Sequence, residues 1–317
     1  MPEQRAVLAL DLGGNTFAGA VVDQGGRILE SARVRVPPGG DAETLWWALD
    51  DLVGRLVDRS PGRYAGVGVG CSGPMRWPAG EVSPVNVPGW RGFPLAQRLA
   101  QRLDSRLAGE VVRVHNDAVC AAVGEHWRGA GRGTSSLLGV VVSTGVGGGL
   151  VLDGRLVDGP SGNAGHIGHV VVDPDGEPCG CGGIGCLETV ASGPGLVRWA
   201  TAQGWRHPGG DARHLALDAE RGHPVAQRAL ARAGRALGTA IASATHLCDL
   251  QVVTVGGGVA QAGPLLLGPV EEAVRRHARL AFARDVRVVP AALGMDAGLV
   301  GAAALVLAGG RYWSPAR

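Results

Sequence analysis

At 317 residues and 45% hydrophobic composition, the chain holds enough apolar material for one large domain or two of ordinary size. Its formal charge of +2, carried by scattered residues, excludes a nucleic-acid face and a polybasic membrane anchor and favours small neutral or phosphorylated ligands. Six cysteines are too few for a disulfide scaffold, and three of them crowd together at Cys179, Cys181 and Cys186, which points to metal.

The first residues run directly into the apolar stretch from Ala6 to Leu10, with no basic region, long apolar core or small-residue cleavage site, so a cytoplasmic protein is expected. Apolar runs such as Leu137 to Val142 fall far short of the roughly 20 residues of a membrane helix, and no span is expected. Ala6 to Leu12 and Phe17 to Asp23 read as strands joined by Gly13-Gly14-Asn15-Thr16, with a third strand within Ile28 to Val36. Leu45, Leu49, Leu52 and Leu56 then recur at a helical period, ahead of a strand from Ala65 to Gly70. A strand from Val111 to His115 leads into a helix from Ala118 to Trp127. Cys71, Cys120 and Cys248 sit in apolar surroundings and are expected as packed thiols.

The pattern then restarts. Leu137 to Ser143 reads as a strand, Thr144 to Gly149 as a glycine turn and Leu150 to Asp153 as the returning strand. Two strand, glycine turn, strand units imply a duplicated fold with a cleft between its halves. A helix from Val225 to Leu247 and a strand from Gln251 to Val255 lead to a third glycine turn, Gly256-Gly257-Gly258. The last helix, around Gly298 to Ala308, is expected to pack back on the first half. Strands alternating with long helices make this an α/β fold. The expected domains are residues 1–117 with about 297–317, and residues 118–296.

Glycine turns after strands let backbone N–H groups approach phosphate oxygens, since no Cβ stands in the way. Neither the Gly-Lys-Ser/Thr ending of a P-loop nor a dinucleotide fingerprint opening a helix is present. Asp11, at a strand end, suits Mg²⁺ held through water. Asn116-Asp117 stands between a strand and a helix, where Asp117 is either a helix cap or a base facing a substrate hydroxyl. His169 with Cys179, Cys181 and Cys186 supplies one imidazole and three thiolates. Such a set fills a tetrahedral Zn²⁺ shell with no open position, so the predicted metal role is structural.

Asp11-Leu12-Gly13-Gly14, Asn116-Asp117, Ser143 to Gly149, Gly165-His166-Ile167-Gly168-His169 and Cys179 to Glu188 together resemble the ROK family of repressors, open reading frames and kinases, over nearly the whole chain. The resemblance implies an actin-like, hexokinase-type (ribonuclease H-like) fold of two duplicated domains, as a homodimer, with Mg·ATP and a sugar between the domains. On it, Asp117 takes the proton from the sugar 6-hydroxyl. Gly73, Asn86, Asn116, His166, His169 and Glu188 contact the sugar, and His169 also ligates the zinc. Asp11, Gly13, Gly14, Asn15, Thr16, Thr144 and Gly145 serve the metal and phosphates, and Gly256 and Gly257 the nucleoside.

Two departures stand out. The family's first loop reads Gly-Gly-Thr-Lys, and here Gly14 is followed by Asn15 and Thr16, which raises the alternative of a sugar sensor with a degraded ATP site. His166 occupies the place of a glutamate in the family's glucokinases. An imidazole donates as well as accepts, which suits the carbonyl of an acetamido sugar. This segment is similar to bacterial N-acetylmannosamine kinases, making N-acetylmannosamine the expected substrate, with glucose or N-acetylglucosamine as the alternative. The family's repressors carry a DNA-binding segment ahead of the sugar domain; with Asp11 so near the start, the kinase type is expected.

Overall fold

The first apolar run forms β1 (Val7–Leu12), paired antiparallel with β2 (Thr16–Val22), which in turn pairs with β3 (Ile28–Arg35) in the computed structural model. The structure describes residues 6–109 and 111–314; the parts of the expected first domain at residues 1–5, Glu110 and 315–317 lie outside the described residues. Asp41 caps α1 (Ala42–Arg59), its Oδ1 accepting the Thr44 N–H at 2.8 Å. The expected leucines, Leu45, Leu49, Leu52 and Leu56, form the buried stripe of that helix, and each fully buried leucine contributes about 2 kcal/mol.

The chain returns through β4 (Val67–Cys71), parallel to β1. A small hairpin of β5 (Met75–Arg76) and β6 (Glu81–Val82), then α2 (Leu95–Leu103), precede β7 (Val112–Asn116), parallel to β4. The first sheet thus has the order β3-β2-β1-β4-β7. After α3 (Asp117–Arg128) the same order repeats: β8 (Leu137–Val142), β9 (Val146–Leu152) and β10 (Arg155–Leu156) form an antiparallel meander. Four helices follow: α4 (Leu187–Ala191), α5 (Gly193–Ala202), α6 (Ala212–Glu220) and α7 (Pro224–Cys248). The parallel strands β11 (Val252–Gly256) and β12 (Arg287–Pro290), separated by α8 (Pro264–His277), complete the sheet β10-β9-β8-β11-β12. The duplication read from the glycine turns is therefore a repeat of strand order and strand direction.

One expected boundary is wrong in an instructive way. The second glycine turn is short, Ser143 to Gly145, and Gly147, Gly148 and Gly149 lie inside β9. A Cβ on Gly147 would stand 2.6 Å from the Ala118 methyl, and one on Gly149 would stand 2.9 Å from the Ala122 methyl and the Val119 Cα. These glycines let α3 lie directly on the strand. They are packing residues, whereas the sequence pattern alone presents them as part of a phosphate turn.

That close contact places α3 on β8 and β9 of the second sheet while it also packs on α9 (Ala297–Leu307), which covers β1 and β4 of the first. The last long helix returns to the first half as expected, and α10 (Gly309–Tyr312) is the last helix among the described residues. Helix α3 is shared between the halves, and its N-terminus opens on the cleft. Among the described residues no helix is long and apolar enough to cross a membrane.

Candidate active site

The parallel strands of both sheets point their C-terminal ends at one cavity of about 810 Å³, the place where ligands bind in open α/β sheets. The first sheet sends in Asp11 from β1, Ser72 and Gly73 beyond β4, and Asn116 and Asp117 from the end of β7. The second sends in Ser143 and Gly145 beyond β8, and Gly256, Gly257 and Gly258 at the end of β11. His166, His169 and Glu188 close one side.

Asn116, rather than Asp117, caps α3: its Oδ1 accepts the N–H groups of Ala118 at 3.0 Å and Val119 at 3.4 Å. Asp117 is the first helical residue, with Oδ1 taking the Ala118 N–H at 2.7 Å. The second carboxylate oxygen has no such bond and is available to a ligand. Burial raises the Asp117 carboxyl above its ordinary range, against the pull of the Ala118 N–H. Burial, reinforced by the Asp117 charge and opposed by Arg33, pushes Asp11 up to about 7. Among the described residues no lysine or arginine lines the cavity; Arg33 acts on Asp11 from outside the lining, and the acidic pair fits a divalent ion.

Glu188, in the first turn of α4, accepts the Val146 N–H at 2.9 Å and fixes the turn after β8. A Cβ on Gly145 would stand 2.7 Å from the Glu188 carboxylate, which is why that position is bare. His166 stacks on His169 with ring centroids 5.4 Å apart. Burial, with the neighbouring His169, lowers the His166 pKa while Glu188 raises it, so the ring is neutral and both donates and accepts.

Behind His169 lies the sulfur cluster. The ligand atoms of His169, Cys179, Cys181 and Cys186 all fall within 4.8 Å of one another. Cys179 Sγ is 3.7 Å from His169 Nδ1, and Cys181 Sγ is 3.7 Å from Cys186 Sγ. A tetrahedral ion with bonds of about 2.3 Å requires edges of about 3.8 Å between sulfurs, so the four residues fit such an ion. The loop needs one. No residue between Asp173 and Gly185 joins a hydrophobic core, and Val171 and Ile184 are exposed.

Not every expected residue meets in this cavity. Gly14, Asn15 and Asn86 line a separate recess of about 220 Å³ with Arg35 and residues 36–40. Asn86 is tied to the main cavity through Ser72, whose hydroxyl donates to Asn86 Oδ1 at 2.6 Å. Gly13 and Thr16 close the β1–β2 hairpin, the Gly13 N–H donating to Thr16 O at 3.1 Å, and neither lines the cavity. Thr144 is exposed beside Gly145 and outside the lining. One lining residue the motifs missed is Glu125 of α3. Its buried carboxylate accepts N–H groups from Ala130, Ala292 and Leu293 at 2.8, 3.0 and 2.7 Å, and so braces the helix against the strand end at Pro290. An acid after the apolar run from Ala118 to Gly124 is the only sequence signal for it.

A profile of the ROK family matches residues 7–308. The chain belongs to the ROK family. Among its relatives, the glucokinase of Thermotoga maritima is 34% identical over 96% of this chain and 98% of its own. An N-acetylmannosamine kinase of Escherichia coli is 37% identical over 94% of this chain and 97% of its own. The structure of a ROK family glucokinase from Streptomyces griseus, in complex with glucose and AMPPNP, superposes with a TM-score of 0.81 at 34% identity, over 95% of this chain and 98% of that one. The fold is the α/β, hexokinase-type one that the motifs implied. Both kinds of sugar kinase stand at similar distance from this ROK protein.

Proposed function

We propose that this ROK protein transfers a phosphoryl group from Mg·ATP to the 6-hydroxyl of a hexose, with N-acetylmannosamine as the favoured substrate. The observation that carries the reading is Asp117, a partly buried carboxylate with Oδ1 held by the Ala118 N–H, which lines the same cavity as Gly256 and Gly257 of the β11 turn and as Asn116, His166, His169 and Glu188. The sugar 6-oxygen bonds to the γ-phosphorus, the bond from that phosphorus to the bridging oxygen breaks, and ADP leaves. The hydroxyl proton passes to Asp117. General-base assistance of this kind contributes about 10² to 10⁴ in rate, the rest coming from positioning and charge.

Asp11 is the carboxylate that would hold Mg²⁺, which supplies neutralisation of phosphate charge when bound. Gly257, with φ +93° and space for a Cβ only 2.3 Å from Val142 O, keeps the β11 turn bare for the nucleoside, alongside Gly256. Gly145 is assigned to the phosphates. Gly13, Gly14, Asn15, Thr16 and Thr144 lie outside the cavity lining, so we assign them to the phosphates only in a more closed arrangement of the halves. Gly73 and Asn86 are assigned to the sugar, Asn86 through its bond to Ser72.

For the four-residue cluster we propose structural zinc, because three thiolates and an imidazole are its usual donors and leave no open position. The stacked His166 and His169 make the metal loop one wall of the sugar site. Residues 1–117 with 297–317 and residues 118–296 are proposed as the two domains, supported by the packing of α9 on β1 and β4. A cytoplasmic homodimer is proposed, to be checked by sedimentation.

The sugar assignment rests on His166. An ADP-release assay over glucose, mannose, N-acetylglucosamine and N-acetylmannosamine, with wild type and His166→Glu, tests it. The expected outcome is a preference for N-acetylmannosamine that moves at least about 10-fold toward glucose in the variant. Wild type that prefers glucose, with an unchanged variant, makes this a glucokinase and removes His166 from the argument.

A further inference from the structure

The two walls of the cleft are joined by a buried cluster that none of the assignments above uses. His115 is the penultimate residue of β7, immediately before Asn116 and Asp117, and is 1% exposed. Its Nδ1 accepts the Asn116 N–H at 2.8 Å, so that nitrogen carries no proton. Its Nε2 is therefore the donor, 3.0 Å from Asp158 Oδ1, and Asp158 is 8% exposed. Asp158 follows β10 of the second sheet. Its carbonyl accepts the Ala164 N–H at 3.1 Å and closes the loop that delivers Asn163 and His166 to the cavity.

The surroundings keep water away. Trp77 and Trp313 cover the imidazole with ring centroids 6.1 and 6.2 Å away. Gly162, on the same loop as Asp158, lies so close to Trp77 that a Cβ would stand 2.5 Å from the indole. A buried carboxylate is costly, and this one makes its side-chain bond across the boundary between the halves. The pair fixes the distance between the base-bearing end of β7 and the sugar loop, and a misplacement of about 1 Å at such a site costs about 10²-fold in rate.

We propose that His115 and Asp158 are a positioning pair that sets Asn116 and Asp117 in register with the sugar loop at Asn163 and His166. The inference rests on the reading of Asp117 as the base of sugar phosphorylation. The two residues stand 43 positions apart and share no motif.

The test compares His115→Ala, Asp158→Ala, the double variant and Asp158→Asn with wild type. Each single alanine variant is expected to lower kcat about 10²-fold while the sugar KM changes less than about 5-fold. The double variant should lose no more than the worse single one, because the two side chains act as one unit. Asp158→Asn keeps an acceptor for the Nε2–H and should recover to within about 5-fold of wild type. Hydrogen exchange at the Asn116 amide, read in the same proteins without substrate, should quicken at least about 10-fold in both alanine variants.

Folded alanine variants with kcat within about 3-fold of wild type, singles whose losses multiply in the double, or unchanged Asn116 exchange would each overturn the pair. Should His115→Ala fail to fold, Asp158→Ala and Asp158→Asn decide by the same readings. Wild type that phosphorylates no sugar of the panel sinks the phosphotransfer reading, and the exchange arm then decides the positioning alone.

Discussion

From the first sheet the cleft receives side chains: Asp11 from β1, Ser72 beyond β4, Asn116 and Asp117 from β7. From the second it receives mostly backbone, at Gly145 beyond β8 and at Gly256 to Gly258 on β11. The strand order of the two sheets is the same, so the difference lies in what the strand ends carry. Proton acceptance and metal binding need carboxylates. Phosphate and nucleoside need close backbone approach, which glycine permits. His166, His169 and Glu188, which we propose for the sugar, form a third kind of surface: they flank the core residues Ile167 and Leu187 and border the loop of the Cys/His cluster.

The largest effect that breaks this division is at the first sheet. Asp117→Asn should lower kcat by about 10³-fold and leave sugar affinity within a few-fold, because the amide keeps the size of the carboxyl and cannot take the proton. Steady-state kinetics and calorimetric sugar binding check both halves of the statement. Near-full turnover by the folded variant would remove Asp117 as the base.

Next in size is the metal loop. Chelation, or Cys181→Ser, should release one zinc per chain, quicken hydrogen exchange over residues 170–186 and weaken sugar binding about 10- to 100-fold, while nucleotide binding at the second sheet changes little. Burial and the neighbouring thiols push the Cys186 thiol up to about 12, so without a cation this ligand stays protonated at neutral pH. Elemental analysis that finds no zinc in the purified protein contradicts the metal assignment.

A smaller effect follows from Asp11. Between its ordinary value of 3.8 and about 7 the folded chain keeps a proton on this carboxyl that the unfolded chain has lost. Stability of the metal-free protein therefore falls as pH rises through that window. Mg²⁺ must displace the proton, so its affinity should fall about 10-fold per unit of pH below about 7, with proton release on binding. Titration calorimetry in two buffers measures the released proton, and Asp11→Asn should abolish it. The smallest effect is at the bare backbone: Gly257→Ala meets positive φ and the Val142 carbonyl, at a cost of about 1–3 kcal/mol. The KM for ATP should rise about 10-fold with the sugar KM unchanged.

How much of this was legible in the sequence differs from one surface to another. The cysteine and histidine spacing pointed to the four-residue cluster because all four side chains lie in one stretch, and the structure brings their donor atoms within 4.8 Å. Asp117 was legible as a carboxylate at a strand end; that Asn116 is the actual cap is settled only by the hydrogen bonds. The β9 glycines misled because composition cannot separate a glycine under a phosphate from a glycine under a helix. Gly147 and Gly149 make room for α3, which precedes them in the chain. The expected gathering of Gly14, Asn15 and Asn86 with the sugar and phosphate groups failed in part, since they line a neighbouring recess. His115 and Asp158 left no trace in any motif: the bond between them is made by the fold bringing β7 to the end of β10.

The most direct test of phosphorylation at the 6-hydroxyl is ADP release with a hexose and with its 6-deoxy analogue, followed by phosphorus NMR of the product. ADP release that requires the hexose, is absent with the 6-deoxy sugar and with Asp117→Asn, and yields a 6-phosphate is the result predicted. ADP release at an equal rate with the 6-deoxy sugar, or a phosphate on any other hydroxyl, would contradict it.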